Sequence, residues 1–275
     1  STRYNMDVQN LVKKEALRRG LSKKTIDTYN NCLSKFFRII RKDPKKLTKK
    51  DILNYIDGLV ERKAPGNTIN VYLNALKFFY EQVLKRKLTV NIKFHKKRKY
   101  LPTFLTKEEV NLFFSKIKNR KHLLMVTLLY SAGLRVGELV KLKVQDLDLY
   151  NNYGWVRQGK GNKDRLFILS QRIKDALINW ILEQKDYLFT GNNKHINYSI
   201  ESIQQIIKKA AKISRIGKNI HPHTLRHSFA THLIQNGNSV FEVQQLLGHN
   251  NVNTTMIYLH MASPDLLKIK SPYDN

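Results

Sequence analysis

His221-Pro-His-Thr-Leu-Arg-His-Ser-Phe-Ala-Thr-His232, then Leu246-Leu-Gly-His-Asn-Asn251, then Thr254-Thr-Met-Ile-Tyr258, is the stretch on which the reading of this chain turns. On a helix opening near Pro222, His223 and Arg226 stand three positions apart on one face, so an imidazole and a guanidinium can converge on one anion. Gly248 follows the apolar positions Val243, Leu246 and Leu247 as a helix stop, which puts His249 at the exit of the next helix. Tyr258 comes nine residues later. Two histidines, an arginine and a tyrosine gathered in this way suit chemistry on a phosphodiester with the phenol as nucleophile. Each residue has an ordinary structural explanation when taken alone, so it is the combination that carries the argument.

Composition says what kind of anion to expect. The 275 residues hold 50 Lys and Arg against 21 Asp and Glu, a formal net charge of +29, and 41% are hydrophobic. Such a chain can build the cores of two domains. Its charge would repel itself without a polyanionic partner, and nucleic acid is the commonest. No long apolar run or signal peptide points to a membrane. Cys32 is the single cysteine, which excludes an internal disulfide and a cysteine-based zinc site and fits a reducing cytoplasm.

Toward the N-terminus, helical spacing recurs four times. It is carried by Val8 to Ala16, Ile26 to Ile40, Ile52 to Leu59 behind a Thr48–Asp51 capping box, and Ile69 to Val83 after Pro65-Gly66-Asn67. Four helices with short turns read as a bundle over residues 1–92. Residues 1–102 hold 26 Lys and Arg against 8 Asp and Glu, whereas residues 103–275 hold 24 against 13. The smaller domain is the more basic, so gripping DNA is assigned to it and the chemistry to the domain spanning 103–275. Between them, residues 93–102 lack apolar periodicity. They read as a linker whose Lys96, Lys97, Arg98 and Lys99 would neutralise phosphates where it crosses the duplex.

The second domain opens with a Thr106–Glu109 capping box and two apolar helices, the latter ending at Gly133. Arg135 then sits at a glycine-flanked junction, free to aim its guanidinium inward. A buried cation needs an anion, which can be Glu138 or a phosphate. Tyr153-Gly-Trp-Val156 and Leu166-Phe-Ile-Leu169 read as a β-hairpin. Its tip, Gly159-Lys160-Gly-Asn-Lys163-Asp-Arg165, is basic and glycine-rich, and Lys163 and Arg165 are candidate contacts to the DNA backbone. The tip does not have the spacing of a nucleotide-binding P-loop. Helical patterns over 170–184, 199–214, 222–235 and 239–247 complete the domain.

Taken together, these motifs resemble the tyrosine recombinase (phage integrase) family, and within it the Xer-type site-specific recombinases. Ala-Gly-Leu-Arg135-Val-Gly-Glu138-Leu looks like the first-arginine motif and Gly-Lys160-Gly-Asn-Lys like the hairpin lysine. His223-Thr-Leu-Arg226-His looks like the His-x-x-Arg motif, Leu-Gly-His249 like the second histidine, and Tyr258 like the nucleophile. The fold implied is mainly α with a small β-sheet in the catalytic domain. Its two domains would form a C-shaped DNA clamp, an N-terminal four-helix bundle plus the catalytic domain.

The resemblance also implies roles. Tyr258 attacks the scissile phosphodiester, giving a 3′-phosphotyrosine and a free 5′-hydroxyl; His223 acts as base or proton relay, and Arg135 and Arg226 clamp the non-bridging oxygens. Lys160 protonates the leaving 5′-oxygen, His249 donates a hydrogen bond, and Glu138 holds Arg135. No metal, ATP or other cofactor is called for. The implied partner is double-stranded DNA carrying an inverted-repeat site, bound by a tetramer that exchanges C-terminal tails through Leu266, Leu267 and Ile269, in the cytoplasm at the nucleoid. The task would be dimer resolution of a chromosome or plasmid, or else integration and excision of a mobile element. Three rivals fit less of the sequence. A metal nuclease built on His221, His223, His227 and His232 lacks nearby carboxylates, and an architectural DNA-binding protein leaves Tyr258, His223 and Arg226 unexplained. A type IB topoisomerase shares the chemistry, but the chain is short and its motifs are Xer-like.

Overall fold

The protein is described by a computed structural model covering residues 7–89, 91–93, 102–157, 164–184, 186–191, 196–248 and 272–273. The chain divides into two compact units, Ser1–Tyr100 and Leu101–Asn275. Most of the expected linker, residues 94–101, lies outside the described residues. Among the described residues no helix is long and apolar enough to cross a membrane.

The first unit contains α1 (Val8–Arg18), α2 (Lys23–Ile40), α3 (Lys49–Glu61) and α4 (Gly66–Lys77). The expected cap of α3 forms: Thr48 Oγ1 accepts the Asp51 N–H at 3.3 Å and Asp51 Oδ2 accepts the Thr48 N–H at 2.9 Å. A stripe of Ile26, Leu33, Phe36 and Phe37 buries itself with Ile52, Tyr55, Leu73 and Leu76. Each such side chain contributes about 1.5–3 kcal/mol. The fourth helix departs from expectation, because α-helical bonding ends at Lys77 and a π-helical turn runs from Phe78 to Val83. That turn buries Phe78, Phe79 and Tyr80 in succession. Arg86 then ties the turn to the carbonyls of Lys45 (2.7 Å) and Leu47 (3.0 Å).

The second unit runs α5 (Lys107–Ser115), α6 (Arg120–Ser131), α7 (Val136–Leu139), β1 (Leu147–Asp148), β2 (Tyr153–Val156) and β3 (Arg165–Ile168). It continues with α8 (Lys174–Ile181), α9 (Ile200–Ser214), α10 (Pro222–Gln235) and α11 (Val240–Leu247). The strands form one antiparallel sheet in the order β1-β2-β3, with Trp155 opposite Leu166 and Val156 opposite Arg165. β2 and β3 are the expected hairpin, and β1 adds a short edge of only two residues.

Helix α10 is the spine of this unit and has almost no solvent face. Leu225, Phe229, Ala230 and Leu233 are fully buried, as are Thr224, Ser228 and Thr231. Polar groups buried this deeply need partners. Ser228 Oγ accepts the Leu105 N–H at 2.9 Å, and the Tyr130 hydroxyl meets His232 Nδ1 at 2.7 Å. Pro222 opens the helix, and the His221 ring caps it by accepting the Thr224 N–H at 3.2 Å.

The turn between α6 and α7 hinges on Gly133, whose φ of +60° favours glycine. A Cβ there would lie 2.4 Å from the Phe229 ring and 3.1 Å from Leu247. Gly133→Ala is therefore expected to destabilise the protein by about 2–4 kcal/mol, from left-handed strain plus overpacking. Chemical denaturation checks this; a loss below about 1 kcal/mol would mean that the junction relaxes freely.

Candidate active site

The site is built around one carboxylate. Glu138 stands on the single turn of α7, with its side chain only 7% exposed, and folds back on the residue that precedes the helix. Its Oε2 accepts the backbone N–H of Arg135 at 2.8 Å, and its Oε1 accepts from Arg135 Nη1 at 2.6 Å. The Oε2 atom also takes Arg165 Nη2 at 2.6 Å and lies 3.9 Å from Arg226 Nη1. Burial pushes the carboxyl pKa up, but the charge and hydrogen bond of Arg165, together with the backbone and charge of Arg135, overcome that, and the net shift is downward. Glu138 is thus an anion facing three guanidinium groups. The cluster keeps a surplus of positive charge, which a phosphate can satisfy.

A second anchor is the end of α11. The last carbonyls of a helix have no partner within it. Here Arg226 Nη2 donates to the Leu247 carbonyl and Arg165 Nη1 to the Leu246 carbonyl, while Arg226 Nη1 donates to the Gly133 carbonyl. Cations at this end also complement the helix dipole. Gly248 closes α11 with a φ of +61°, and an added Cβ would lie 2.6 Å from Arg165 Cδ. The helix stop expected at Gly248 is therefore also a point of close approach.

His223 lies on α10 one turn before Arg226 and remains exposed. Partial burial lowers its pKa, reinforced by His221, Arg226 and Arg135. Each of these disfavours its protonated form. His227 is pushed down further, to about 4, by burial first and then by His223, His221 and Arg226. The rings of His221, His223 and His227 follow one another at 6.2 and 6.4 Å between centroids. Among the described residues no three His, Cys, Asp or Glu side chains gather as a metal site.

Four of the expected residues are therefore brought together: Arg135, Glu138, Arg226 and His223. The Arg135 side chain is 23% exposed, whereas that of Arg226 is 4% exposed and anchored in the interior. Lys160, His249 and Tyr258 lie outside the described residues, as do Lys96, Lys97, Arg98, Lys99 and Lys163. One expectation is corrected. Arg165 does not offer itself to a DNA backbone; its side chain is 8% exposed and both ends of its fork are bound inside the protein. Strand alternation gives the reason: Arg165 and Phe167 of β3 point inward while Leu166 between them is exposed. Leu166, Phe167, Ile168 and Leu169 are all apolar, so the sequence carries no alternation that says which face of the strand turns inward.

Removing the carboxylate should expose its value. Glu138→Ala is expected to cost about 3–5 kcal/mol, because three guanidinium groups then face one another without an anion. Chemical denaturation measures it, and a cost under about 1 kcal/mol would show that the arginines do not depend on Glu138.

The sequence pattern of the phage integrase family matches residues 103–264, and that of the phage integrase N-terminal SAM-like domain matches residues 10–90. The tyrosine recombinase XerA of Pyrococcus horikoshii is 34% identical over 252 residues, covering 90% of this chain and 86% of the relative. Among solved structures, XerH bound to its difH substrate in a pre-cleavage complex aligns with a TM-score of 0.71 at 23% identity, covering 92% of this chain and 82% of that one. A lambda integrase dimer bound to a COC′ core site aligns with a TM-score of 0.73 at 19% identity, covering 94% and 96%. These two share the fold. With two family patterns spanning both units and a relative this similar over nearly its whole length, the chain belongs to the phage integrase family and is a tyrosine-type site-specific recombinase.

Proposed function

We propose that this recombinase breaks and rejoins DNA at paired inverted-repeat sites through a 3′-phosphotyrosine on Tyr258, working at the nucleoid in Xer-type resolution of chromosome or plasmid dimers. The observation that supports this reading best is the cationic cluster around Glu138, with His223 beside it. In the transition state, negative charge grows on the non-bridging oxygens of the scissile phosphate. Arg135 and Arg226 neutralise it, the former from a side chain that keeps some exposure. A phenol with an ordinary pKa of about 10 needs a base at neutral pH, and His223 accepts its proton. Lys160 protonates the departing 5′-oxygen and His249 donates to a non-bridging oxygen. Each step breaks one phosphoester bond and forms another, so the proposed cycle is written without ATP.

The similarity to XerA supports the Xer reading, and both DNA-bound structures, one of them a dimer, support DNA as the partner of a multimer. The tetramer with exchanged tails belongs to the same proposal. Near the C-terminus Tyr273 is seated on its own domain, with ring centroids 5.6 Å from Phe114 and 6.2 Å from Tyr130, and the Arg172 guanidinium 5.4 Å away. Exchange would replace this seat with the equivalent one on a neighbour.

Two experiments test the reading. Mixed with cellular DNA and then denatured, the protein should retain covalently bound DNA, and Tyr258→Phe should retain none while still binding duplex. A persistent adduct in Tyr258→Phe refutes the nucleophile, and no adduct in the unaltered chain refutes the function. Sequencing the trapped DNA separates dimer resolution from movement of an element. Truncation after Ala262 should weaken assembly on paired sites more than binding to one site; an equal loss in both would mean that the tail acts only in cis.

A further inference from the structure

Arg165 lies at the base of the hairpin that carries Lys160, five residues from it in sequence. Its guanidinium joins two other parts of the site at once: Nη2 to Glu138 Oε2 at 2.6 Å, and Nη1 to the Leu246 carbonyl at the end of α11. Through Glu138 it reaches Arg135, whose Nη1 hangs on the other carboxylate oxygen at 2.6 Å. Through Leu246 it reaches the helix end from which the chain continues to His249. The ion pair is buried on both sides, at 8% and 7% exposure, so solvent cannot substitute for either partner. An inward charge on a short strand is costly, and nothing in the packing of β3 with Phe167 requires it. A leucine or methionine of similar volume would serve the core. The use that matches the geometry is orientation.

Resting on the proposed function above, we propose that Arg165 is a positioning residue for strand cleavage. It saturates Glu138 Oε2, so the carboxylate cannot rotate to take both ends of the Arg135 fork. Arg135 is then held by one nitrogen through Oε1 and keeps its remaining N–H groups for the scissile phosphate. The same guanidinium clamps the hairpin to α11, setting the distance between the strand that leads to Lys160 and the helix that leads to His249. A lysine has a single nitrogen at its end and cannot span a carboxylate and a carbonyl as the planar fork does.

The test uses a nicked duplex carrying the site recovered by trapping, in two forms: an ordinary scissile phosphodiester, and a methylphosphonate in which one charged non-bridging oxygen is replaced by methyl. Arg165→Met and Arg165→Lys are compared with the unaltered full chain by single-turnover cleavage, with thermal melting to confirm folding. DNA affinity and its salt dependence are read in the Tyr258→Phe background. On the phosphodiester, cleavage by Arg165→Met should fall roughly 10- to 100-fold, with Arg165→Lys recovering part of the loss. Affinity and salt slope should not change. On the methylphosphonate, where there is less charge for Arg135 to neutralise, the defect should shrink to within about threefold. Should Arg165→Met fail to fold, the same contrast between substrates is expected of Arg165→Lys. A defect of equal size on both substrates overturns the proposal, and so does a lowered salt slope with weakened binding, which would return Arg165 to the DNA backbone. Absence of cleavage by the unaltered chain would instead sink the recombinase reading, so the two failures are distinguishable.

Discussion

A single buried carboxylate makes this catalytic unit possible. Like charges do not gather in a protein interior unaided, and at the site Arg135, Arg165 and Arg226 lie within ion-pair distance of Glu138. Glu138 accepts enough hydrogen bonds to hold them, yet it carries only one negative charge. The arrangement is therefore incomplete in a useful direction: it is stable enough to fold and positive enough to attract a phosphate. Its pKa is held down by the arginines against the upward push of burial, so the anchor stays ionised.

The surrounding fold exists to bring these arginines in from separate places. Arg135 comes from the turn after α6, Arg165 from the edge of the sheet, and Arg226 from the spine helix α10. They meet because the carbonyls of Gly133, Leu246 and Leu247 need donors, and two of the three guanidinium groups supply them. Gly133 and Gly248 remove the side chains that would otherwise hold Phe229 and Arg165 away. The downward shift of the His223 pKa belongs to the same surroundings, since partial burial and then neighbouring His221, Arg226 and Arg135 disfavour its protonated form. The lowered pKa of His223 and the surplus of positive charge share one electrostatic environment.

Much of this was legible before any coordinates. Capping boxes at Thr48 and Thr106 mark helix starts because their hydrogen bonds are local. The spacing of His223 and Arg226, and the pairing of Arg135 with Glu138, are equally local facts of a helix turn. Two features were not read. The π-helical turn at Phe78–Val83 leaves no mark in the apolar spacing, and β1 is too short to leave a pattern. Arg165 was misread because a basic loop tip draws attention to charge, while the strand that begins there decides direction.

What the sequence alone determined is the chemistry: a strongly basic chain with arginine, lysine, histidine and tyrosine in the order of one family, on helices whose ends it marks itself. What only the tertiary structure decided is which of those charges face the substrate and which face each other. Arg135 and Arg165 are both arginines beside glycine-rich turns, yet one keeps an open edge and the other is enclosed. That difference arises from contacts between residues 27 and 81 positions apart, Arg165 with Glu138 and with Leu246. Spacing along the chain reports on the faces of single helices and strands, and only their packing sets the burial that gives each charge its role.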